Sequence, residues 1–279
     1  MKKTKYSISS VKAAELFNVN VSTIKRWSDS GILKCQKTAG GHRKFSIEDI
    51  KNYSNEVKLA LPELALTKLS KAVISNVSGN KTERLAKHLQ TLLLKGDSDN
   101  ADTFLYNLYL NNYSLQEIFD EIIAACMKDI GDKWLNKTIN IEDEHIASKA
   151  LTGALYSLER RITALKSNGK KAICVCLENE YHEIGLLCVK IILSNLGWKV
   201  IYPGSDLPLN SLMDLIEKEK PDIVCISIKK SYIDTKLTEL IKLSEKYGIK
   251  FIGGGNPKLR SLNGFEYCGS TNDLISFIN

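Results

Sequence analysis

The sequence predicts a multidomain protein in which a small, mainly helical unit and a four-helix bundle precede a parallel α/β sheet. The net charge of +7 falls entirely within residues 1–60, which hold 12 Lys or Arg against 5 Asp or Glu, whereas the remaining 27 basic and 27 acidic residues cancel. Residues 63–166 repeat apolar positions at i, i+3 and i+4. From Lys171 onward, apolar β-rich runs alternate with helical patterns, which is typical of a doubly wound parallel sheet.

Composition narrows the class of protein further. The chain has 279 residues, of which 43% are hydrophobic and 25% charged, as in soluble proteins with two or three compact cores. No apolar run approaches the roughly 20 residues of a membrane helix, and residues 1–5 lack the apolar stretch of a signal peptide. We therefore expect a cytoplasmic protein without a membrane partner. The seven cysteines form no C-x-x-C pair and lie mostly in apolar runs, which favours buried thiols over a metal site.

The basic N-terminal residues show the pattern of a helix-turn-helix. Residues 11–17 form a short amphipathic helix with Ser10 as the expected N-cap, and residues 18–20 make the turn. In the second helix, residues 21–27, Ile24 and Trp27 point towards a core. Such a second helix enters the major groove of DNA. The outward residues expected to contact DNA are Ser22, Thr23, Lys25 and Arg26.

A basic segment around Gly40-Gly41 follows and predicts a wing of two extended strands. Trp27 and Phe45 are assigned to the small core rather than to base stacking. Over residues 5–55 this order of helix, helix and wing resembles the winged-helix domain of MerR-type transcription regulators, which implies a double-stranded DNA operator as partner. The wing residues expected to contact that DNA are Lys37, His42, Arg43 and Lys44.

The middle of the chain reads as a helical bundle. Ser114 and Glu117 have the spacing of a capping box, and residues 95–100 read as a loop. The predicted helices are 64–75, 81–94, 101–110, 115–134 and 141–165.

Trp134, Glu144 and His145 are the candidate ligand contacts of this bundle. On one continuous helix Trp134 and Glu144 would lie about 15 Å apart. Residues 136–140 favour a turn instead, with Asn140 capping the next helix, so that two helix ends converge on one ligand.

The motif Glu180-x-His182-x-x-Gly185 follows the predicted buried strand 172–177. Ligands of open α/β sheets bind at the carboxyl ends of strands, and a carboxylate two residues before the histidine can fix its tautomer. The other predicted strands are 199–202, 223–227, 250–253 and 265–269, and the helices include 184–196 and 209–219.

Together with Ser227 and Gly253-Gly254, this motif resembles the signature of cobalamin-binding Rossmann-like domains with a flavodoxin-like sheet. The resemblance implies that His182 is the lower axial ligand of cobalt. It also implies that Ser227, Gly253 and Gly254 line the groove for the nucleotide tail. Ile228-Lys229-Lys230 departs from the small or apolar residues that usually follow the serine.

The spacing of Trp134, nine residues, then Glu144-His145 is similar to the bundle motif of CarH/LitR-type photoreceptor regulators. The resemblance implies a bundle over the upper face of adenosylcobalamin, with Trp134 capping the adenosyl group and Glu144 and His145 contacting the ligand. Some members carry a histidine after the tryptophan that replaces the adenosyl group after illumination. Leu135 stands at that position.

We therefore expect a cobalamin-dependent, light-responsive repressor that is not an enzyme and acts as a dimer or tetramer. The expected domains are 1–75 (winged helix), 76–168 (bundle) and 169–279 (cobalamin-binding sheet). Two alternatives remain: a cobalamin enzyme, which would need a substrate domain, and a MerR-type regulator that senses another ligand or none. The last accommodates Leu135 and Lys229-Lys230 more readily.

Overall fold

A computed structural model describes residues 6–17, 19–56, 81–111, 113–162, 165–227, 230–255 and 265–278. The predicted helix 64–75 and the dipeptide Ile228-Lys229 lie outside these ranges. None of the helices within them is long and apolar enough to cross a membrane.

The N-terminal unit, residues 6–56, is a winged helix. The two predicted strands of the wing, Gln36–Lys37 and Arg43–Ser46, pair with each other, and Tyr6–Ser9 adds a third antiparallel strand beside Arg43–Ser46. The second helix of the motif continues two residues beyond its predicted end. The predicted N-cap is wrong by one residue, because Ser9 Oγ rather than that of Ser10 accepts the backbone N–H of Lys12 at 3.2 Å. The elements are β1 (Tyr6–Ser9), α1 (Ser10–Phe17), α2 (Val21–Asp29), β2 (Gln36–Lys37), β3 (Arg43–Ser46) and α3 (Ile47–Glu56).

Aromatic residues form the core of this unit, as predicted for Trp27 and Phe45. Phe45 is fully buried. The ring of Phe17 lies edge-on to those of Trp27 and Tyr53, with centroids 5.5 and 5.6 Å apart. This geometry stabilises aromatic pairs, so the two helices of the motif are fixed against α3.

The bundle begins with α4 (Lys81–Leu93) and α5 (Ser98–Leu110). The predicted loop 95–100 is shorter than expected, because the side chain of Asp97 caps α5 by accepting the backbone N–H of Asn100 at 3.1 Å.

A π-helical segment (Glu117–Ile123) then runs directly into α6 (Ala124–Leu135). The predicted capping box is confirmed, since Glu117 Oε2 accepts the N–H of Ser114 at 2.7 Å and Ser114 Oγ accepts that of Glu117 at 3.1 Å. After the predicted turn, α7 (Ile141–Arg161) closes the bundle. It ends four residues before its predicted end.

The C-terminal region is a parallel sheet of order β5-β4-β6-β7-β8. Counted within the sheet, the order is 2-1-3-4-5, the flavodoxin-like arrangement. In this arrangement ligands bind at the carboxyl ends of the neighbouring strands β4 and β6, where the strand order reverses. The predicted doubly wound sheet is confirmed. Its elements are β4 (Lys171–Leu177), α8 (Ile184–Asn195), β5 (Lys199–Leu207), α9 (Leu209–Glu219), β6 (Ile223–Ser227), α10 (Lys230–Tyr247), β7 (Lys250–Gly254), β8 (Phe265–Tyr267) and α11 (Thr271–Ile278).

The bundle packs on the face of the sheet that carries α8 and α11, and one apolar core runs continuously through both. A second core lies on the opposite face, beneath α9 and α10. Lys190 on α8 forms a salt bridge of 2.5 Å with Glu159 on α7, and both side chains are largely buried. The carboxyl ends of β4 and β6 are therefore held facing α6 and α7.

Candidate functional site

A cavity of about 1,100 Å³ lies between the bundle and the carboxyl edge of the sheet. Its volume is at the upper limit of ligand sites, which typically measure about 300–1,000 Å³, and it suits a bulky ligand. The predicted ligand residues that line it are Trp134, Glu144, His145, Glu180, His182, Gly185, Ser227 and Gly254.

His182 is the one imidazole on the sheet side of this cavity among the described residues. Its Nδ1 lies 2.7 Å from Glu180 Oε1, which also accepts the backbone N–H of His182 at 2.9 Å. Because an ionised carboxylate only accepts hydrogen bonds, this contact selects the tautomer of the neutral imidazole in which Nδ1 carries the proton and Nε2 keeps its lone pair. The Glu180 side chain is 6% exposed and that of His182 is 82% exposed, so a buried anchor holds an accessible ligating atom.

Glycines and small residues form the sheet side of the cavity. A Cβ placed on Gly185 would meet no atom within 4 Å, so the start of α8 leaves open space beside His182. Gly253 does not reach the cavity, because it is buried within β7 and its carbonyl accepts the N–H of Cys268 at 2.8 Å. Gly254 and Gly255 line the cavity instead. Gly255 was not predicted from the sequence, although it directly follows Gly253 and Gly254 in a run of three glycines.

The bundle side combines an apolar stripe on α6 with a polar stripe on α7. Trp134 remains 43% exposed at the rim, so part of a large apolar surface is left uncovered. Leu135, by contrast, is 69% exposed and lies outside the lining. The α6 stripe contains Ala124, Met127, Gly131 and Trp134, and the α7 stripe contains Glu144, His145, Ser148, Lys149 and Thr152.

Glu144 is held in place by its own helix. Ser148 Oγ donates to Glu144 Oε1 at 2.6 Å, and His145 Nε2 lies 3.7 Å from Glu144 Oε2. The remaining lone pairs of the carboxylate are available to a hydroxyl donor in the cavity. Ser148 was missed from sequence, although its position four residues after Glu144 places both on one helix face.

Neutral thiols complete the sheet side. Cys188, Cys225 and Cys268 line the cavity. Burial raises the pKa of Cys268 to about 12, and burial raises the pKa of Cys188 as well. These thiols are therefore protonated near pH 7 and add uncharged surface around a ligand. Within the described residues no group of His, Cys, Asp and Glu is arranged to hold a free metal ion.

The predicted DNA contacts form the second candidate site. Ser22, Lys25 and Arg26 are exposed on α2, whereas Thr23 is half-buried. Lys37 and His42 are exposed on the wing.

Arg43 and Lys44 are less accessible than the other predicted DNA contacts. The Arg43 side chain is only 18% exposed and its Nη2 lies 2.5 Å from Asp29 Oδ1, which holds the pKa of Asp29 below its usual value. Lys44 is half-buried, and burial lowers its pKa. Arg43 thus joins the wing to α2. The exposed cations among the predicted DNA contacts are Lys25, Arg26 and Lys37, of which Lys37 also lies 3.9 Å from Asp29 Oδ1.

Comparison with known families defines the class of this protein. Residues 6–53 match the MerR HTH family of regulatory proteins, and residues 85–159 and 170–263 each match a B12 binding domain. These matches coincide with the winged helix, the bundle and the sheet. The chain therefore combines a MerR-type HTH domain with two B12 binding domains, the domain composition of a cobalamin-dependent transcription regulator.

Individual relatives agree with this assignment. The chain is 28% identical over 234 residues to the HTH-type transcriptional repressor CarH of Myxococcus xanthus, covering 77% of this chain and 76% of that protein. It is 24% identical over 212 residues to the trimethylamine corrinoid protein of Methanosarcina barkeri, covering 71% and 95%. The solved monomethylamine corrinoid protein of Methanosarcina barkeri shares the fold, with a TM-score of 0.58 at 16% identity over 68% of this chain and 95% of that one.

Proposed function

We propose that this protein is a repressor that binds adenosylcobalamin in the dark and releases DNA on illumination. The observation that carries the proposal is the cavity shared by bundle and sheet, with an oriented histidine on one side and Trp134 and Glu144 on the other. The similarity to a protein named as a transcriptional repressor supports the direction of the response.

The sheet side fits a corrinoid. His182 offers a neutral nitrogen, and Glu180 holds its ring in the tautomer that a cobalt ligand requires. Gly185, Gly254 and Gly255 keep the adjoining wall free of bulky side chains, which suits a long nucleotide tail. His182 would thus be the lower axial ligand, and Ser227 would contact the tail.

The bundle side suits an adenosyl group. An exposed indole provides a flat apolar surface for the adenine, and the free lone pairs of Glu144 can accept from ribose hydroxyls. His145, beside Glu144, adds a second polar contact. A methyl group in the same position would offer no flat surface to Trp134 and no hydroxyl to the remaining lone pairs of Glu144, so these residues favour the larger ligand.

When bound, the cofactor supplies a carbon–cobalt bond that light cleaves. Trp134 and Glu144 would then lose the group that they contact. The loss of these contacts would remove part of the free energy that stabilises the dark position of the bundle. We propose that the dark arrangement favours a dimer or tetramer. Assembly brings several winged helices to repeated DNA half-sites, and multivalency multiplies weak single-domain affinities.

We propose a sensing role rather than an enzymatic one. Residues 6–53 match a DNA-binding regulatory family, and the two matches to B12 binding domains account for most of the remaining described chain. A cobalamin enzyme would need an additional region to bind its substrate next to the cofactor.

The test combines absorbance spectroscopy and size-exclusion chromatography of the full chain with adenosylcobalamin, in the dark and after green light. We expect a bound corrinoid spectrum and a larger dark species that dissociates on illumination. A bound corrinoid without any change in size would contradict light-driven disassembly. No bound corrinoid would favour a MerR-type regulator that uses the same domains without a cofactor or with another ligand.

A further inference from the structure

Asp120 connects the bundle to the C-terminal helix α11 across 151 residues of sequence. Its carboxylate accepts the backbone N–H and the hydroxyl of Thr271 at 2.8 and 2.9 Å. It also accepts the backbone N–H and the side-chain amide of Asn272, both at 3.3 Å. One acidic side chain therefore receives four hydrogen bonds from the start of another element.

These bonds complete the capping of α11. The helix has its own capping box, in which Ser270 Oγ accepts the N–H of Asp273 at 3.1 Å and Asp273 Oδ2 accepts that of Ser270 at 3.0 Å. The first N–H groups of a helix have no partner within it, and this capping box does not satisfy those of Thr271 and Asn272. Asp120 accepts both. A carboxylate is also favoured there because the helix dipole is positive at its N-terminus.

The contact lies in the wall of the cavity. Both Asp120 and Thr271 line it, beside Gly269 and Ser270. A Cβ on Gly254 would come within 3.3 Å of the carbonyl of Cys268, so the start of α11 directly adjoins the glycines of the sheet side. The position of α11 thus affects the width of the cavity beside Gly254.

Asp120 is presented by the π-helical segment Glu117–Ile123. Ile118 and Ile122 of this segment are buried in the core, while Phe119 and Asp120 both line the cavity. π-Helical turns are rare and frequently occur at functional sites, because they alter which side chains share a face. Here the irregularity brings a carboxylate to an otherwise apolar part of the bundle wall.

We infer that Asp120 is a positioning residue that fixes α11 to the bundle and keeps the cavity at the width needed by a bound corrinoid. The inference rests on the proposed function for the identity of the ligand, whereas the contact between Asp120 and α11 is a feature of the structure itself. Loss of the carboxylate should free α11 first and weaken ligand retention as a consequence.

The test uses the full chain with Asp120→Ala, the milder Asp120→Asn and Thr271→Val, and the control Glu121→Ala. Glu121 is the adjacent acidic residue on the same segment, and its exposed carboxylate accepts from Thr82 Oγ1 on α4 at 3.5 Å instead. Hydrogen exchange of the apo protein reports on the amides of Thr271 and Asn272. We expect Asp120→Ala to exchange there at least about tenfold faster, because it leaves both amides without a charged acceptor.

The second readout is the dissociation rate of adenosylcobalamin in the dark, which should also rise about tenfold in Asp120→Ala, rise less in the milder variants, and stay unchanged in Glu121→Ala. Unchanged amide exchange in Asp120→Ala and Thr271→Val would show that the contact with Asp120 does not hold the start of α11. Faster exchange with unaltered dissociation would overturn the positioning role. A wild-type protein with protected amides but no cobalamin binding would instead overturn the proposed function. If Asp120→Ala does not fold, Thr271→Val decides by the same two readouts.

Discussion

Glu180 Oε1 lies 2.7 Å from Nδ1 of His182, so a buried carboxylate orients an imidazole that is otherwise exposed to the cavity. The sheet supports this pair, because the backbone N–H of Glu180 donates to the carbonyl of Leu177, the last residue of β4, at 2.9 Å. The direction of the free Nε2 is therefore fixed by the strand before any ligand binds.

Glu180→Gln is expected to weaken cobalamin binding about 10- to 100-fold, the usual effect of removing the partner of a metal-ligating histidine. A glutamine amide can present either its oxygen or its NH₂ group to Nδ1, so the tautomer is no longer enforced. The measurement is a spectral titration in the dark. Equal affinity of the variant and the wild type would show that the pair does not orient an axial ligand.

His182→Ala should change the absorbance spectrum of the bound corrinoid and weaken its binding, because the nitrogen that we propose as the lower cobalt ligand is removed. His42→Ala is the matched control, since His42 lies on the exposed wing, outside the residues that line the cavity. A spectrum of His182→Ala that coincides with that of the control would rule out axial ligation by His182.

Trp134→Ala should reduce the adenosylcobalamin-dependent oligomer, because the largest apolar surface at the cavity rim is lost. Trp134→Phe keeps a flat ring and should retain most of the assembly. Size-exclusion chromatography in the dark, at equal corrinoid occupancy, measures the effect. Persistence of the full oligomer in the alanine variant would show that Trp134 does not cap the upper ligand.

Lys25→Ala should weaken DNA binding on all sequences and lower the slope of log affinity against log salt by about one, because one phosphate contact is lost.

The double variant Arg43→Ala, Lys44→Ala should also weaken binding and flatten the slope, partly because Arg43 no longer joins the wing to α2. Asp29→Asn is the control, because it removes the charge that pairs with Arg43 and leaves all Lys and Arg residues of the winged helix in place. If the double variant keeps the wild-type affinity and slope, the wing does not contact DNA.

The bridge between Arg43 and Asp29 should also make the stability of the winged helix depend on pH. Hydrogen bonding to Arg43 lowers the pKa of Asp29 in the folded protein. Its stabilising contribution is therefore present above the unfolded pKa of about 3.9 and is lost as the pH falls through the lower folded value. Thermal unfolding of the full chain in acid should show a smaller pH dependence for Asp29→Asn than for the wild type, and identical curves would contradict the bridge.

The sequence predicted the strands of the buried sheet closely, because hydrophobic runs bounded by loops are strong local signals. β6 was predicted with its observed bounds. β5 continues to Leu207, five residues beyond its predicted end, because its pairing with β4 is irregular and accommodates Pro203 and Gly204, which normally interrupt strands. Local propensity carries no information about such a register shift.

The candidate site was predictable where a motif was compact and was missed where contacts were distant. Glu180 and His182 are two residues apart, and their pairing follows from the loop that contains them. Asp120 and Thr271 are 151 residues apart, and nothing in either local sequence indicates that they meet. Gly253 likewise lies outside the cavity because β7 extends past it. The hydrophobic pattern of a sequence predicts the end of a strand only to within a few residues.

The turn between α6 and α7 has a consequence for how ligand preference can change. Trp134 and Glu144 lie on either side of residues 136–140, and Lys137 within them has a left-handed backbone with φ of 57°. The length of this turn determines the distance between the indole ring of Trp134 and the carboxylate of Glu144. We expect that insertion or deletion of a single residue there would alter which groups fit between the bundle and the sheet, while the Glu180–His182 pair and the winged helix stay as they are.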